Sequence, residues 1–402
     1  MNQLMHTPAG VRDIFGDEFE RKGLLMDKIK GLFYSYGYQY IQTPSLEYYP
    51  VFDKEKGTTQ ESRLFRLIDA DGNTLVLRPD FTPSIARAVS KYFNQEELPI
   101  RLCYEGNVFL NHVNYRGRLN ESTEMGVELI NYDAPEADAE LIALSVEIMK
   151  AAGIKDFQIS IGNVAYFDAL TKEAGLDAET TREIRHLLSI RNQFGALELI
   201  EKQDIEEDLK KALRELPQLF GNNESVIEKA LSLTENEEAV KAVERIKSVY
   251  DILKLYGCGD YVSFDFGMLS DYSYYTGIIF QAVTYGSGDA VIKGGRYNRF
   301  IEKFGKKAEA IGFTTLVDSI LFALQRSGVL TEIPKDKMLV LYTPEGAKQA
   351  VFTAVVYRKA GKKVSCIPFA KEDLEIYKEY AKNTNCCQIL IVRGNDNIET
   401  VE

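Results

Sequence analysis

The first clear hydrophobic pattern in the chain has the period of a helix. Apolar residues recur at spacings of three and four and stop before Gly37, a helix-terminating residue: Leu25, Ile29, Leu32, Phe33 and Tyr36. Such spacing places the apolar side chains on one face, so the segment is predicted to form an amphipathic helix. We expect that face to pack on a sheet formed by the residues that follow.

A β-hairpin and a second helix are predicted next. Two runs of β-forming residues within 63–80 are separated by Asp71-Gly72, a pair typical of tight turns in which both central residues have positive φ. Thr82-Pro83 then predicts a helix with Thr82 as its N-cap and the proline in the first helical position.

The remaining elements of this first part predict an α+β fold. They are strands at 99–104 and 122–130, a helix at about 136–153, and later strands at 262–269 and 277–284. Helix-forming residues with many Glu and Lys fill about 171–256, where Thr234 and Glu237 have the spacing of a capping box. We therefore predict an antiparallel sheet flanked by helices and interrupted by a helical insertion.

After residue 331 the pattern changes to alternating strands and helices. The segments are strands at 338–343, 363–369 and 387–392, with helices near 345–360 and 371–382. This βαβαβ order predicts a small, mostly parallel sheet. The predicted domains are thus residues 1–170 together with 257–330, the helical insertion 171–256, and a small α/β domain at 331–402.

Composition narrows the class of protein. The 402 residues include 48 Lys and Arg against 60 Asp and Glu, a net charge of -12, which argues against a protein that mainly grips nucleic-acid backbone. The five cysteines are scattered and the histidines number three, so neither a zinc site nor another cofactor is predicted. The start of the chain lacks a secretory pattern and no apolar run reaches 18 residues, so we expect a cytoplasmic protein without a membrane span.

One predicted strand carries candidate chemistry. Alternation along 122–130 places Glu124, Gly126 and Glu128 on one face, with the two carboxylates roughly 13 Å apart at Cα. The glycine leaves room between them for a ligand that carries two basic nitrogens. The alternative is an ordinary solvated polar face, which the strand pattern alone favours.

Seven segments of the chain resemble, in order, those of histidyl-tRNA synthetase and its non-synthetase relatives within the class II synthetase fold. They are 7–18, 43–52, 75–89, 101–130, 270–280, 293–300 and 310–320. The resemblance covers about 1–330 and implies a class II synthetase-like antiparallel sheet. It also implies that the segment at 43–52 forms a homodimer contact.

The resemblance implies a histidine-binding site. Asp80, Thr82 and Glu124 match positions that bind the α-ammonium, and Glu128, Tyr275 and Tyr297 match positions around the imidazole. Synthetases usually have Gln at the position of Glu124. Arg296 is either a substitute cation for the ligand's carboxylate or half of a structural ion pair, and Tyr274 is expected to face the opposite side and join the core.

The same resemblance implies that the chain cannot form an aminoacyl adenylate. Four arginines of the synthetase motifs are replaced here, by Leu110, Asn120, Ser270 and Ser319. Amino-acid activation spreads negative charge over phosphate oxygens, so it needs preset cations. Losing one such donor costs about 2.7–4 kcal/mol, and losing two makes the reaction negligible.

A synthetase-like chain that keeps a histidine pocket and lacks these cations resembles the family of ATP phosphoribosyltransferase regulatory subunits. The resemblance implies a non-catalytic partner of the short-form catalytic subunit, needed for the first step of histidine biosynthesis and for feedback inhibition by free histidine. It also implies a hetero-oligomer. The acidic chain and its short C-terminal domain are poorly suited to tRNA. Two alternatives stay open: an active histidyl-tRNA synthetase and a stand-alone histidine-binding module.

Overall fold

The structure, a computed structural model, describes residues 3–53, 59–112, 118–270, 274–329, 331–369, 374–394 and 397–401. Its helices are α1 Gly16–Ser35, α2 Thr82–Tyr92, α3 Pro135–Ala152, α4 Val164–Glu173, α5 Ala178–Ser189, α6 Gln193–Glu201, α7 Glu207–Glu215, α8 Ser225–Ser232, α9 Glu237–Leu255, α10 Val317–Arg326, α11 Ala347–Lys359 and α12 Leu374–Asn383. Its strands are β1 Gln39–Tyr40, β2 Leu46–Tyr48, β3 Arg66–Ile68, β4 Thr74–Leu77, β5 Ile100–Phe109, β6 Glu121–Ile130, β7 Phe157–Asn163, β8 Phe220–Gly221, β9 Val262–Asp265, β10 Ile278–Thr284, β11 Ile292–Arg296, β12 Ala310–Leu316, β13 Lys337–Tyr342, β14 Lys363–Pro368, β15 Cys386–Gly394 and β16 Asn397–Val401.

The chain divides into two compact units. Unit 1 comprises Met1–Asp13 and Lys22–Leu330, and unit 2 comprises Ile14–Arg21 and Thr331–Glu402. The division after Leu330 falls at the change of pattern in the sequence, whereas the assignment of Ile14–Arg21 to unit 2 had no sequence signal. Among the described helices, none is long and apolar enough to span a membrane.

Unit 1 is built on a sheet with the strand order β1-β5-β6-β12-β11-β10-β7-β9-β8. Its neighbours are antiparallel except for two parallel pairs, β1 with β5 and β7 with β9. The predicted synthetase-like sheet flanked by helices is confirmed, with parallel pairing at these two places as a correction. The strands that follow the helical region complete the sheet that began before it.

The two faces of this sheet carry different cores. On one face α1 and α3 pack over β6, whose Met125, Val127 and Leu129 are fully buried. Side chains of the helical region, among them Ile184 and Val243, belong to the same core. On the other face α2 packs with a smaller cluster, and this face holds the candidate site.

Two local predictions in unit 1 are wrong in detail. The hairpin of β3 and β4 forms, but Gly72 has a φ of 85° while Asp71 stays outside the positive region. The loop is organised by Asp69, which accepts hydrogen bonds from the backbone of Asp71 and Asn73. Because the loop is longer than a two-residue turn, only one residue needs positive φ.

The cap of α9 also differs from the prediction. Asn236, not Thr234, is the N-cap, and its side chain accepts hydrogen bonds from the backbone of Glu238 and Ala239. The Thr234 hydroxyl instead accepts a hydrogen bond from the backbone N–H of Asn236. Asparagine is as good an N-cap as threonine. Asn236 forms the cap because it directly precedes the first residue of α9, whereas Thr234 lies two residues earlier.

Unit 2 contains a four-stranded sheet with the order β14-β13-β15-β16. Its first three strands are parallel, as predicted, and α11 and α12 cover its opposite faces. The sequence pattern missed β16, which pairs antiparallel with β15 along Asn397–Val401. This strand has a largely exposed, polar pattern, so it lacks the apolar alternation that marks a strand.

Candidate functional site

The acidic face of β6 is buried. Glu124 is 7% exposed and Glu128 is 1% exposed, so the alternative of a solvated polar face is wrong. Both side chains point to the face of α2, while Met125 and Val127 alternate into the core on the other side. Buried carboxylates require hydrogen-bond partners or a bound cation, which makes this face the candidate site.

Glu128 is held by two hydroxyl groups. Thr82 donates a hydrogen bond of 2.9 Å to one carboxylate oxygen, and the Tyr297 hydroxyl donates to the other. Thr82 is not the N-cap of α2: Asp80 accepts a hydrogen bond from the Thr82 backbone N–H at 3.0 Å instead. The hydroxyl of Thr82 is thus available to Glu128 because Asp80 takes over the capping contact.

Glu124 lies four residues earlier and has a different partner. Its carboxylate accepts a 3.0 Å hydrogen bond from the Thr314 hydroxyl on the neighbouring strand β12. Neither Glu124 nor Glu128 forms an ion pair with any residue that the structure describes. The two carboxyl groups therefore rest on hydroxyl groups and have no direct cation contact among the described residues.

The space above Gly126 is filled. A Cβ at Gly126 would lie 2.3 Å from the Tyr104 hydroxyl, and the Tyr104 ring stacks on Phe81 with centroids 4.2 Å apart. The expectation that this glycine clears room for a ligand is therefore wrong. It clears room for Tyr104, which is its cross-strand neighbour in the register of β5 and β6.

Two further glycines let large side chains lie flat on the sheet. A Cβ at Gly312 would lie 1.6 Å from a carboxylate oxygen of Glu128. A Cβ at Gly295 would lie 2.7 Å from the Tyr275 ring. Gly312 pairs with both Glu128 and Gly295, so these positions form one row across three strands. The row brings Tyr275 and Glu128 to the same face.

Tyr274 also lies on this face, contrary to the prediction. Its ring centroid is 6.1 Å from that of Tyr297 and 5.1 Å from that of Phe300. The residues before β10 do not form a strand, so strict alternation between Tyr274 and Tyr275 does not apply. The prediction that Tyr274 packs with core residues is nevertheless correct, because its neighbours belong to the cluster under α2.

The carboxylates of the site hold their protons more tightly than usual. Burial raises the pKa of Glu124 to about 8, with a further increase from Asp80, against the opposing effects of Thr314, Lys293 and Arg78. Burial likewise raises the pKa of Glu128 to about 8, while hydrogen bonds from Tyr297 and Thr82 oppose the increase. Uncompensated carboxylates of this kind favour a ligand that brings positive charge.

Arg296 has its partner on the other face of the sheet. Its Nε and Nη2 donate to Asp138 of α3 at 2.8 and 2.6 Å, and Asp138 is fully buried. Tyr297 points to Glu128, so its neighbour Arg296 points away. The ion-pair alternative matches the structure, and the role of Arg296 as a substitute cation for a ligand carboxylate is corrected.

Two other cations lie near Glu124, and both have contacts elsewhere. The Arg78 guanidinium donates to the carbonyl oxygens of Asn107 at 2.9 Å and Thr43 at 2.8 Å. Lys293 forms an exposed ion pair with Asp289. Both act on Glu124 by charge at a distance.

The four positions predicted to have lost a synthetase arginine have structural surroundings of their own. Asn120 is buried, and its backbone and side chain donate to the carbonyl oxygens of Gly10 and Ala9 at 2.7 and 3.1 Å. Leu110, Ser270 and Ser319 are half-buried. The side-chain amide and the backbone N–H of Asn120 together tie this position to residues 9 and 10.

Sequence reasoning missed part of the site. Phe81, Tyr104, Thr314 and Arg78 surround the two carboxylates, yet none was singled out. Alternation in β5 and β12 puts Tyr104 and Thr314 on faces that are mostly apolar, so neither stands out as a site residue. Only the register of the strands sets them against Gly126. Within the described residues, no group of three or more His, Cys, Asp or Glu side chains could hold a metal ion.

The fold and the site define a class of protein, which comparison with known proteins supports. The family model for histidyl-tRNA synthetase matches residues 10–320. A histidyl-tRNA synthetase structure from Nostoc sp. PCC 7120 superposes with a TM-score of 0.83 over 99% of this chain and 96% of its own, at 19% identity, which shows the fold alone. The class is therefore that of histidyl-tRNA synthetase-like proteins with the class II fold.

More similar relatives carry a narrower name. The ATP phosphoribosyltransferase regulatory subunit of Acetivibrio thermocellus is 38% identical over 98% of this chain and 94% of its own length. That of Clostridium kluyveri is 35% identical over 96% and 98%. A solved structure from Bacillus halodurans, described as an ATP phosphoribosyltransferase regulatory subunit/histidyl-tRNA synthetase, has a TM-score of 0.87 at 29% identity over 97% and 99%. The chain belongs to the family of ATP phosphoribosyltransferase regulatory subunits, as the sequence motifs predicted.

Proposed function

We propose that this chain binds free histidine in the pocket of Glu124 and Glu128 and reports its concentration to a short-form ATP phosphoribosyltransferase catalytic subunit. The observation that supports this most directly is the pair of buried carboxylates with hydroxyl partners and no direct cation partner among the described residues. Histidine carries an ammonium and an imidazole, two nitrogen groups that such carboxylates favour.

The proposed arrangement of the ligand follows the family positions. The α-ammonium lies near Asp80, Thr82 and Glu124, and the imidazole lies between Glu128 and the rings of Tyr275 and Tyr297. Thr82 and Tyr297 already orient the Glu128 carboxylate, which supports its use as a fixed acceptor for an imidazole N–H. A preset acceptor costs little conformational entropy on binding.

In this proposal the chain makes no bond itself. The four replaced arginine positions leave the nucleotide end of the cleft without the cations that amino-acid activation needs. The histidine site is kept as a sensor, and the transfer of the phosphoribosyl group takes place on the catalytic subunit. Neither tRNA charging nor tRNA binding forms part of the proposal.

The proposed assembly combines a homodimer with catalytic subunits in the cytoplasm. The homodimer contact is proposed at residues 43–52, where Leu46 and Tyr48 expose apolar side chains. A cavity of about 500 Å³ is lined by residues 39–44, which include the first two residues of this segment, and by side chains of α2. We keep the domain division proposed from sequence, with residues 1–170 and 257–330 carrying the site.

Feedback requires that histidine binds one quaternary arrangement better than another, because a ligand shifts an equilibrium only by differential affinity. The test is the Glu128→Ala substitution in the complex with the catalytic subunit. We expect histidine inhibition to weaken by about a hundredfold, since the buried acceptor and its charge are both lost. Assembly, measured by size-exclusion chromatography with light scattering, should stay intact.

The matched control is Glu121→Ala on the same strand. Glu121 is half-buried, and it hydrogen-bonds Asn107 rather than the pocket residues. This variant should keep the inhibition constant of the parent within about threefold. If Glu128→Ala is inhibited as strongly as the parent, the pocket is not the sensor.

A further inference from the structure

A fully buried aspartate on α3 is shared by two arginines. Asp138 is 0% exposed, and its Oδ1 accepts hydrogen bonds from Nε and Nη2 of Arg296 at 2.8 and 2.6 Å. Its Oδ2 accepts a hydrogen bond of 2.7 Å from Nε of Arg245. Arg296 ends β11, whereas Arg245 lies in α9 within the helical region. One buried carboxylate therefore joins the helical region to the end of β11.

A second aspartate joins the same two arginines nearer the surface. The Oδ1 of Asp133 lies 3.1 Å from Nη2 of Arg245 and 3.3 Å from Nη1 of Arg296. Its Oδ2 accepts a hydrogen bond of 3.1 Å from the side-chain amide of Asn298. Asp133 is exposed, so it forms the outer part of this network and Asp138 the inner part. The two guanidinium groups repel each other, so their positions depend on the two aspartates between them.

The network brackets Tyr297. Arg296 and Asn298 are the residues directly before and after it, and the two aspartates hold both of them. Between them, the Tyr297 backbone N–H donates to the carbonyl oxygen of Ala310 at 2.8 Å, and the Tyr297 hydroxyl donates to Glu128. The direction of the Tyr297 side chain is therefore set by neighbours that are themselves fixed.

The same segment holds the second tyrosine of the proposed imidazole site. Thr276 directly follows Tyr275, and its backbone N–H donates to the carbonyl oxygen of Arg296 at 2.8 Å. The Thr276 hydroxyl accepts a hydrogen bond of 3.0 Å from the backbone N–H of Asn298. A shift of residues 296–298 would therefore move both tyrosines that the proposed function places around the imidazole.

Packing keeps Arg245 in place. Val243 and Ile246 of the same helix are fully buried in the core that α3 also lines. Arg245 itself is half-buried, with 24% of its side chain exposed. It is therefore a fixed cation of the network rather than a mobile surface side chain.

We infer that Arg245 is a positioning residue for the proposed histidine site. This inference rests on the proposed function, which supplies the ligand. Arg245 acts on Arg296 through their shared Asp138. Arg296 in turn fixes the Tyr297 hydroxyl, which orients Glu128. The helical region thereby contributes to histidine affinity without touching the ligand.

The mechanism follows from the cost of an unpaired buried carboxylate oxygen. Without Arg245, Oδ2 of Asp138 loses its hydrogen bond in a buried environment, which is costly. Arg296 relieves this cost by turning to pair with both oxygens, and the turn displaces its neighbour Tyr297. The coupling is reciprocal, so bound histidine holds α9 in place by as much as α9 improves histidine binding.

The experiment measures the dissociation constant of histidine for the full chain by isothermal titration calorimetry. Arg245→Met keeps the length of the side chain without its charge and should bind histidine about tenfold more weakly. Arg245→Lys keeps a cation for Asp138 and should stay within about threefold of the parent. Asp133→Asn changes only the exposed end of the network, and it should bind histidine about fivefold more weakly.

A double-mutant cycle separates positioning from a general loss of stability. Tyr297→Phe lacks the hydroxyl through which Arg245 acts. Adding Arg245→Met to this background should therefore weaken histidine binding by no more than about twofold further. A purely structural role of Arg245 predicts the same tenfold loss in both backgrounds.

The matched control is another arginine of the helical region that lies between two carboxylates. Arg214 of α7 contacts Glu201 and Glu207 at 2.7 and 3.4 Å. Arg214→Met removes a cation of the same kind outside the network and should bind histidine within about threefold of the parent. Circular dichroism and urea unfolding confirm that each variant is folded under the conditions of the titration.

The outcomes separate this inference from the proposed function. If the parent does not bind histidine, or if Glu128→Ala binds it as tightly as the parent, the proposed function fails and the inference fails with it. If the proposed function holds and a folded Arg245→Met or Asp133→Asn chain binds histidine like the parent, the inference alone is overturned. It is also overturned by additive losses in the cycle, or by an equal loss in Arg214→Met.

Discussion

The two ends of the cleft over β6 have different chemistry. Toward the C-terminal end of β6, Glu128 is buried, and hydrogen bonds from Thr82 and Tyr297 hold its carboxyl group in one orientation as a hydrogen-bond acceptor. Beside the N-terminal end of β6 lie Asn120, just before the strand, and Leu110, just after β5, two positions where the family resemblance predicts that arginine has been replaced. Asn120 holds residues 9 and 10 through hydrogen bonds to the carbonyl oxygens of Ala9 and Gly10. Under the proposed function, one fold keeps a recognition site at Glu128 while positions used for bond formation in synthetases take structural residues.

The largest expected difference between this chain and a synthetase is in catalysis. We expect histidine-dependent exchange of pyrophosphate into ATP to be at least about 10⁴-fold slower than in a synthetase, because each missing cation costs about a hundred- to thousandfold in rate. The measurement uses labelled pyrophosphate with the purified chain, and an active histidyl-tRNA synthetase serves as the positive control. Exchange near the rate of that enzyme would identify this chain as a synthetase and overturn the proposed function.

The next effect concerns stability and pH. Glu128 has a pKa of about 8 in the folded chain and about 4.5 when unfolded, so the folded state binds the extra proton between these values. The stability that this proton contributes is present below about pH 4.5 and is lost as the pH rises to about 8. The loss is on the order of several kcal/mol.

Glu128→Gln should remove much of the loss of stability between pH 4.5 and pH 8, since glutamine carries no charge to bury. The measurement is urea unfolding of ligand-free parent and variant from pH 5 to pH 9, with Glu121→Gln as the control. We expect the variant to gain stability relative to the parent as the pH rises, while the control follows the parent. Parallel curves for parent and Glu128→Gln would mean that the carboxylate is not held in a protonated, buried state.

A smaller effect tests the flat packing beside Glu128. Gly312→Ala places a Cβ against the Glu128 carboxylate, so we expect a loss of about 1–3 kcal/mol in the free energy of unfolding and weaker histidine binding. Gly31→Ala in α1 has open space around it and should be stabilising by up to about 1 kcal/mol. The comparison is made by thermal and urea unfolding. A Gly312→Ala chain as stable as its parent would show that Glu128 can move aside at little cost.

The sequence predicted those parts of the site that follow from local period. Alternation in β6 put Glu124 and Glu128 on one face, and the family resemblance grouped Tyr297 with Glu128. It grouped Thr82 with Glu124 instead, whereas the Thr82 hydroxyl donates to Glu128 in the structure. What it could not predict depends on partners distant in sequence. Tyr104 occupies the space over Gly126 only because the register of β5 and β6 sets them opposite one another.

Competition between partners explains the other differences. Thr82 has good N-cap chemistry, but Asp80 makes the capping contact and the hydroxyl of Thr82 turns to Glu128. Arg296 could bind a ligand's carboxylate or form an ion pair within the protein. In the structure it forms an ion pair with the buried Asp138 of α3.

The finest effect concerns the charge of Glu124, which distinguishes this pocket from a synthetase site with Gln. The extra carboxylate attracts the ammonium of histidine but repels its carboxylate. A like-charge pair about 6 Å apart costs on the order of 2–3 kcal/mol at an effective dielectric constant of about 20. Histamine, which has the imidazole and the ammonium without the carboxylate, should therefore bind the parent about 30- to 150-fold more tightly than histidine. In Glu124→Gln this preference for histamine should shrink toward equal affinity, because histidine loses a repulsion that histamine never had.

Calorimetric titration of both ligands into both chains measures the ratio of the two affinities. The titration is done at pH 8.5, where the Glu124 carboxylate is largely charged. If the ratio is the same in the two chains, the charge of Glu124 does not reach the ligand's carboxylate, and the difference between this pocket and a synthetase site lies elsewhere.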